Sequence, residues 1–242
     1  MRLPTVQFPW SEDQLRKRVV EAVRSYWSLR RGQASRKRTS DTGSRGEVTG
    51  GQHLNAFRDL LAELITTAGF KEGELRFKTG VEIPGYYRPT KKWDIVVVRR
   101  DRLCAAIEMK SQVGPSFGNN VNNRTEEAVG SSVDLWRAFQ EGVLGSHAPW
   151  LGYFFFLEDT LRSTSPVRIP KAAFPPDRVF DHSSYAKRYE ILCRRMVLER
   201  NYNAAALILS RRGADGSFSE PSVDLSFERF VKALYGHLVG CT

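Results

Sequence analysis

Two apolar segments, Asp94-Ile-Val-Val-Val98 and Ala105-Ala-Ile-Glu-Met-Lys110, decide the fold class of this 242-residue chain. Each has the length and apolar character of a buried strand, with charged residues at one end only. Residues i and i+2 of a strand share a face, so Glu108 and Lys110 point in the same direction. In an antiparallel meander, the start of one strand lies beside the end of the next. The pattern therefore predicts that Asp94 lies next to Glu108.

Helices and further strands are predicted on both sides of this pair. Helical spacing of apolar residues predicts helices over Ser11–Arg30, Thr49–Ala68, Glu126–Glu141, Tyr185–Glu199 and Phe227–Val239. Alternation or apolar runs predict strands over Leu75–Pro84, Lys92–Arg99, Leu103–Gln112, Trp150–Leu157 and Ala204–Arg211. Composition predicts loops over Gly114–Asn123 and Arg162–Arg178. The order indicates an α/β fold with a mixed central sheet flanked by helices, and we expect one domain over residues 1–242.

The chain is basic, with 37 Lys and Arg against 27 Asp and Glu and a net charge of +10. Residues 1–46 hold eleven Lys and Arg and four acids, and so contribute seven of these charges. The polar segment 30–46 reads as a basic loop or arm, which favours contact with a phosphate backbone. A solvated linker is the alternative. The arm's candidate phosphate-binding residues are Arg30, Arg31, Arg36, Lys37 and Arg38.

Composition also excludes several classes of protein. Hydrophobic residues make up 41% of the chain and charged residues 26%, which is ordinary globular usage and excludes a wholly disordered or fibrous chain. No apolar run reaches membrane-spanning length, and the N-terminus lacks a secretory signal. The three cysteines form no CxxC pair, which argues against zinc and against a disulfide framework. We therefore expect a cytoplasmic protein.

The two carboxylates and the lysine at the strand ends are the strongest chemical signal. Burying them near a hydrophobic core is costly unless a partner compensates their charges. A divalent cation such as Mg²⁺ would relieve the repulsion between Asp94 and Glu108 and could act on a phosphate ester. A solvated strand end with an ordinary Glu–Lys pair is the alternative. Paired histidines, GxSxG and Walker A motifs are absent from the sequence.

The segment after Lys110 is rich in side chains that read bases or hold phosphates. Asn can pair with adenine and Arg with guanine, although an Asx-rich turn with a helix cap would also explain the composition. The candidates are Asn119, Asn120, Asn122, Asn123 and Arg124. A second basic group in the Arg162–Arg178 loop consists of Arg162, Arg168 and Lys171.

Asp94…Glu108-Met109-Lys110 resembles the PD-(D/E)xK nuclease signature, and the longer match is more specific. The stretches 88–94 and 106–130 are similar to the XhoI family of Type II restriction endonucleases, with further similarity at 134–136 and 48–51. This resemblance implies a restriction-endonuclease-like core in a homodimeric, Mg²⁺-dependent enzyme, in which Mn²⁺ can substitute. The implied substrate is double-stranded DNA, cut in both strands at a palindrome, CTCGAG or a version with constrained flanks. It also implies a separate methyltransferase that protects the host DNA.

Residue by residue, the resemblance implies that Asp94 and Glu108 are metal ligands, with the main-chain carbonyl of Met109 as a further ligand. Lys110 would be the catalytic lysine, and Gln112 on the same strand face would support the water or the phosphate. Trp93 stands where the family signature often has proline. A third acid from the preceding helix remains open between Glu47, Asp59 and Glu63. A non-cleaving DNA-binding protein derived from a nuclease is the alternative function.

Overall fold

A computed structural model describes residues 7–37, 52–213 and 215–241 of the chain. It contains six α-helices within these ranges: α1 (Glu12–Lys37), α2 (Asn55–Thr67), α3 (Phe117–Gln140), α4 (Leu161–Thr164), α5 (Tyr185–Leu198) and α6 (Phe227–Val239). The strands are β1 (Leu75–Arg76), β2 (Glu82–Pro84), β3 (Thr90–Lys92), β4 (Ile95–Arg99), β5 (Arg102–Gln112), β6 (Trp150–Glu158) and β7 (Ala204–Ser210).

The main sheet has five strands in the order β1-β4-β5-β6-β7. The pairs β1–β4 and β4–β5 are antiparallel, whereas β5–β6 and β6–β7 are parallel, so the sheet is mixed. The parallel neighbours are joined through α3 and through α5, as a crossover between parallel strands requires. The predicted α/β fold with a mixed sheet is confirmed, and it is consistent with a restriction-endonuclease-like core.

Helices cover both faces of this sheet. On one face α1, α2 and α6 pack around Phe57, Phe154 and Phe156, and on the other face α3 and α5 pack around Phe155 and Tyr189. Strand β6 is buried along its whole length, which explains its uninterrupted apolar sequence. The pairing of β4 with β5 ends at Ile95 and Ile107, and Asp94, Glu108 and Lys110 lie just beyond that end.

The start of helix α1 agrees with the sequence prediction, but its end does not. Its start is confirmed by a reciprocal capping box, in which Gln14 N donates to Ser11 Oγ and Ser11 N donates to Gln14 Oε1. The predicted end at Arg30 is wrong, because the helix continues to Lys37 and residues 30–37 are not a loop. Arg, Ala, Gln and Lys are good helix formers, so a polar segment can continue an exposed helix. The rest of the predicted arm, 38–46, lies outside the described residues, and so does Arg38.

The predicted Gly/Asn loop over Gly114–Asn123 is also wrong in its second half, because α3 begins at Phe117 and not at Glu126. Phe117, Val121 and Ala128 are buried on one side of this helix. These apolar residues at helical spacing outweigh the low helix propensity of four asparagines.

The two strands predicted before β5 divide into four. Instead of one strand over Leu75–Pro84, β1 joins the main sheet and β2 forms a separate hairpin with β3. Gly80, at φ 65°, lies in the break between them. Strands β5, β6 and β7 and helices α5 and α6 agree with the prediction to within one residue. Over the described ranges, none of the helices is long and apolar enough to cross a membrane.

Candidate active site

Asp94 and Glu108 meet across the antiparallel pair β4–β5, as the sequence predicts. The register pairs Ile95 with Ile107, which places Asp94, one residue before β4, across from Glu108. Two hydrogen bonds fix Asp94: its N–H donates to the Ile107 carbonyl at 3.2 Å, and its Oδ2 accepts from Met109 N at 2.7 Å. Backbone pairing therefore holds one carboxylate beside the other without help from a flexible loop.

Two lysines hold the buried carboxylate of Glu108. Lys110 Nζ pairs with Oε1, and Lys91 Nζ donates to Oε2 at 2.6 Å. Lys91 comes from β3 and stacks its ammonium 4.2 Å from the centre of the Trp93 ring. Sequence reasoning missed Lys91. The feature of the sequence that points to a second lysine is the charge balance, because two buried carboxylates and one lysine leave an uncompensated negative charge.

The charges of this cluster shift one another's pKa values. Burial, and then repulsion from Glu108, raises the pKa of Asp94 to about 6. Burial also opposes ionisation of Glu108, but the ammonium groups of Lys110 and Lys91 outweigh it and lower the pKa of that carboxyl. For Lys110, attraction to Glu108 and Asp94 outweighs burial and raises the pKa. The cluster is thus arranged so that Glu108 and Lys110 are charged at neutral pH.

Gln112 and Met109 flank the cluster along β5. The Gln112 side chain is buried, and its Nε2 donates to the Ser116 carbonyl at 3.1 Å while its Oε1 accepts from the Tyr189 hydroxyl. Both ends of the amide thus bind protein groups, which ties β5 to the start of α3 and to α5. The Met109 side chain is buried in the core on the other face of the sheet, and its N–H binds Asp94.

Two clefts open on either side of Lys110. The larger, of about 950 Å³, contains Asp94 as its single acidic lining residue within the described part of the chain. Six basic side chains line it: Arg30, Arg58, Lys78, Lys92, Lys110 and Arg124. The smaller cleft, of about 490 Å³, contains Glu108 together with Arg88 and Lys91. Lys92, Lys110 and Arg124 line both clefts. The smaller cleft also has Glu126 and Glu127 in its lining, so the excess of basic side chains is concentrated in the larger cleft around Asp94.

The structure brings only some of the predicted DNA-binding residues to these clefts. Arg30, Asn120 and Arg124 line the larger cleft. Asn122 lines an apolar groove between α3 and α5, and Asn119 and Asn123 are exposed on the first turns of α3. Exposed residues that line neither cleft are Arg162, Arg168 and Lys171.

The remaining predicted phosphate-binding residues of α1 follow Arg30 in the last turns of the helix. Arg31 is exposed and donates from Nη1 to the Gly213 carbonyl at 2.9 Å. Arg36 and Lys37 lie in the last turn of α1. Of the predicted phosphate contacts on this helix, Arg30 alone lines the larger cleft among the residues that the structure describes.

A third acidic ligand is not found among the described residues, where no group of three or more His, Cys, Asp and Glu side chains could hold a metal. Asp59 and Glu63 are exposed on α2 and pair with Arg58 and Arg18. The third candidate, Glu47, lies outside the described residues. Of the candidate acidic ligands, Asp94 and Glu108 are the two that lie together among the described residues.

Comparison with known proteins decides the family. A family model described as "Restriction endonuclease XhoI" matches residues 33–220. The chain belongs to the XhoI family of restriction endonucleases. The matched segment contains Asp94, Glu108 and Lys110, so the whole carboxylate–lysine cluster lies within the XhoI-family region. Arg30 lies outside it.

Relatives in the XhoI family support the same assignment. The Type II restriction enzyme BstVI of Geobacillus stearothermophilus is 46% identical over 206 residues, which cover 82% of this chain and 92% of the relative. The Type II restriction enzyme XhoI of Xanthomonas vasicola is 42% identical over 163 residues, 66% of each chain. AbrI of Azospirillum brasilense, another Type II restriction enzyme, is 40% identical over 151 residues, covering 61% of this chain and 68% of the relative. No solved structure matches the chain. This XhoI-family protein is thus an enzyme, a site-specific deoxyribonuclease.

Proposed function

We propose that this enzyme hydrolyses both strands of double-stranded DNA at CTCGAG, or at a version with constrained flanks, and that it needs Mg²⁺, for which Mn²⁺ can substitute. The observation that carries the proposal is the placement of Asp94 opposite Glu108 with Lys110 beside them. Asp94 and Lys110 line the larger cleft, whose basic lining suits a polyanion. The target sequence in the proposal is what the resemblance to the XhoI family implies.

The donor set fits a divalent cation. Two carboxylates of adjacent strands provide hard oxygen ligands, and their mutual repulsion and burial already raise the pKa of Asp94. Asp94 and Glu108 would hold the ion, with the main-chain carbonyl of Met109 as a further ligand. When bound, the ion would lower the pKa of a water and neutralise charge that develops on the phosphate.

The chain's own residues then have separate roles. Lys110 pairs with Glu108 and lines both clefts, so its ammonium can orient the attacking water and offset charge on the phosphate. Lys91 keeps the Glu108 carboxylate ionised before the substrate arrives. Gln112 is a positioning residue in this scheme, because its hydrogen bonds to Ser116 and Tyr189 fix the end of β5. Arg30 and Arg124 would hold phosphates of the DNA backbone in the larger cleft.

A palindromic target implies a two-fold symmetric enzyme, so we propose a homodimer in which each subunit cuts one strand. Sedimentation equilibrium would test this, with a mass of two chains expected and a single-chain mass at working concentration contradicting it. A separate methyltransferase that modifies the same site would protect the host DNA.

The test uses two plasmids that differ only in one CTCGAG site. The proposal predicts that the purified protein linearises only the plasmid with the site, in Mg²⁺ or Mn²⁺ and not in a chelator. Cutting at a different fixed sequence would retain the chemistry and refute the proposed target. Binding of DNA without any cutting in either metal would refute the nuclease and favour a non-cleaving DNA-binding protein.

A further inference from the structure

The hairpin of β2 and β3 ends in a tip, Gly85–Pro89, that is fixed by a buried carboxylate on α3. Asp134 Oδ1 accepts hydrogen bonds from Tyr86 N and Tyr87 N, each at 2.8 Å, and its Oδ2 accepts from Arg88 Nε at 2.7 Å. The Asp134 side chain is only 3% exposed. Three donors from consecutive residues thus converge on one ion, which gives the tip a single conformation.

Gly85 allows the close contact between the tip and Asp134. A Cβ atom at this position would lie 2.5 Å from Asp134 Oδ2 and 2.9 Å from the Arg88 carbonyl oxygen. Both neighbours are held in place, so any other residue would push the tip away from α3. The conformation of the hairpin tip is therefore fixed by its contacts with Asp134, and none of the proposed catalytic roles requires these contacts.

The anchored tip presents two large aromatic side chains to solvent. Tyr86 is 46% exposed and Tyr87 is 70% exposed, and their rings meet edge to face with centres 4.9 Å apart. Arg137 of α3 lies over the Tyr86 ring at 5.2 Å. Exposed aromatic side chains on a rigid support are typical of a contact surface, because they bury a large area on binding at low cost in conformational entropy.

The same hairpin also contacts the cluster of Asp94, Glu108 and Lys110. Three residues after the tip's Arg88, strand β3 carries Lys91, whose ammonium binds Glu108 at 2.6 Å. Arg88 itself lines the smaller cleft together with Glu108 and Lys110. DNA placed with a phosphate at Lys110 would therefore pass beside the tip.

We propose that the tip, through Tyr86, Tyr87 and Arg88, reads the base sequence of the DNA target. This inference rests on the proposed function, since it takes the substrate to be a specific duplex site. Tyrosine hydroxyls can donate to and accept from base edges, aromatic rings contact the thymine methyl group, and arginine pairs with guanine. The Arg88 side chain is 44% exposed beyond its bond to Asp134.

The test compares sequence discrimination rather than activity alone. The preferred sequence of the wild type is first found by selection of bound duplexes from a randomised pool, so the result does not depend on CTCGAG or on cleavage. Affinities for that sequence and for single-base variants are then measured for the wild type, for Tyr86→Ala/Tyr87→Ala and for Leu198→Ala. Leu198 is a matched control because it is 72% exposed and lines neither cleft.

The double variant is expected to lower the ratio of preferred to variant-sequence affinity by about tenfold or more at one or more positions, with an unchanged unfolding midpoint. The Leu198→Ala ratio should equal that of the wild type. An equal loss of affinity for every sequence, an unchanged ratio, or a wild type that selects no sequence would each overturn the proposal. Selection of a sequence other than CTCGAG would refute only the proposed target. The role of the hairpin tip would then be tested on the selected sequence.

Discussion

Lys91 Nζ lies 2.6 Å from Oε2 of Glu108, on a strand that belongs to the small hairpin and not to the main sheet. Glu108 is thereby the point where the hairpin, β5 and the carboxylate of Asp94 come together. Among the described residues, the buried carboxylate has two cationic partners, and both come from defined strands. This arrangement explains how an acidic residue can be kept ionised in a site that is otherwise desolvated.

Replacement of Lys91 should therefore destabilise the protein. In Lys91→Met, Glu108 keeps Lys110 but loses one ion pair in a buried setting, and we expect the free energy of unfolding to fall by about 1–3 kcal/mol. Chemical denaturation in a chelator measures this. Lys232→Met removes an exposed pair with Glu228 and should leave the free energy of unfolding nearly unchanged. Equal losses in the two variants would mean that the Lys91–Glu108 pair behaves as a surface pair.

His53, just before α2, gives the stability a specific pH dependence. Burial, assisted by the charge of Arg30, lowers the pKa of His53 from about 6.5 to about 4, and its Nδ1 has no hydrogen-bond partner among the described residues. Protons then bind the unfolded chain more readily than the folded one, so His53 stabilises the fold above pH 6.5 and this contribution falls as the pH drops toward 4.

The measurement is the difference in free energy of unfolding between the wild type and His53→Gln across pH 4–8. We expect the wild type to lose stability relative to the variant as the pH falls below 6.5. Parallel curves for the two proteins would contradict the shifted pKa, and so would an NMR titration in which the His53 imidazole becomes charged near pH 6.5.

Arg30 should contribute to DNA affinity without contributing to sequence choice. It lines the larger cleft together with Arg58, Lys110 and Arg124, and a side chain of this kind contacts phosphates. In Arg30→Ala, affinity should fall by a similar factor for every duplex, and the slope of log K against log salt should become shallower by about one. Arg229→Ala, an exposed arginine of α6 that lines neither cleft, should leave both quantities unchanged. A changed sequence preference in Arg30→Ala would contradict this role.

The sequence predicts the centre of this fold better than its edges. Strands β5, β6 and β7 are buried on both faces, so their apolar runs stand out from the flanking loops. The antiparallel placement of Asp94 beside Glu108 follows from the same runs. Helix α6 was predicted with its observed ends because its apolar stripe is strong and Ser226 caps it.

The parts that sequence reasoning missed depend on tertiary contacts. Strands β2 and β3 have only three residues each, and their pairing is fixed by Asp134, which is more than forty residues away in the chain. Lys91 has no local pattern that distinguishes it from Lys92, yet one binds Glu108 and the other is exposed. The start of α3 at Phe117 was hidden by asparagines whose preference for turns is overridden by burial of Phe117 and Val121.

In the proposed mechanism, Asp94 acts in the cleavage step itself. The most direct test is the single-turnover cleavage rate of Asp94→Asn in Mg²⁺ on the enzyme's own target duplex, with duplex affinity measured alongside and Glu228→Gln as the control. We expect a rate lower by about 10³-fold or more, because a metal ligand is lost, with duplex affinity within about tenfold of the wild type. The control should cut at the wild-type rate. An Asp94→Asn enzyme that cuts within about tenfold of the wild type would rule out this role for Asp94.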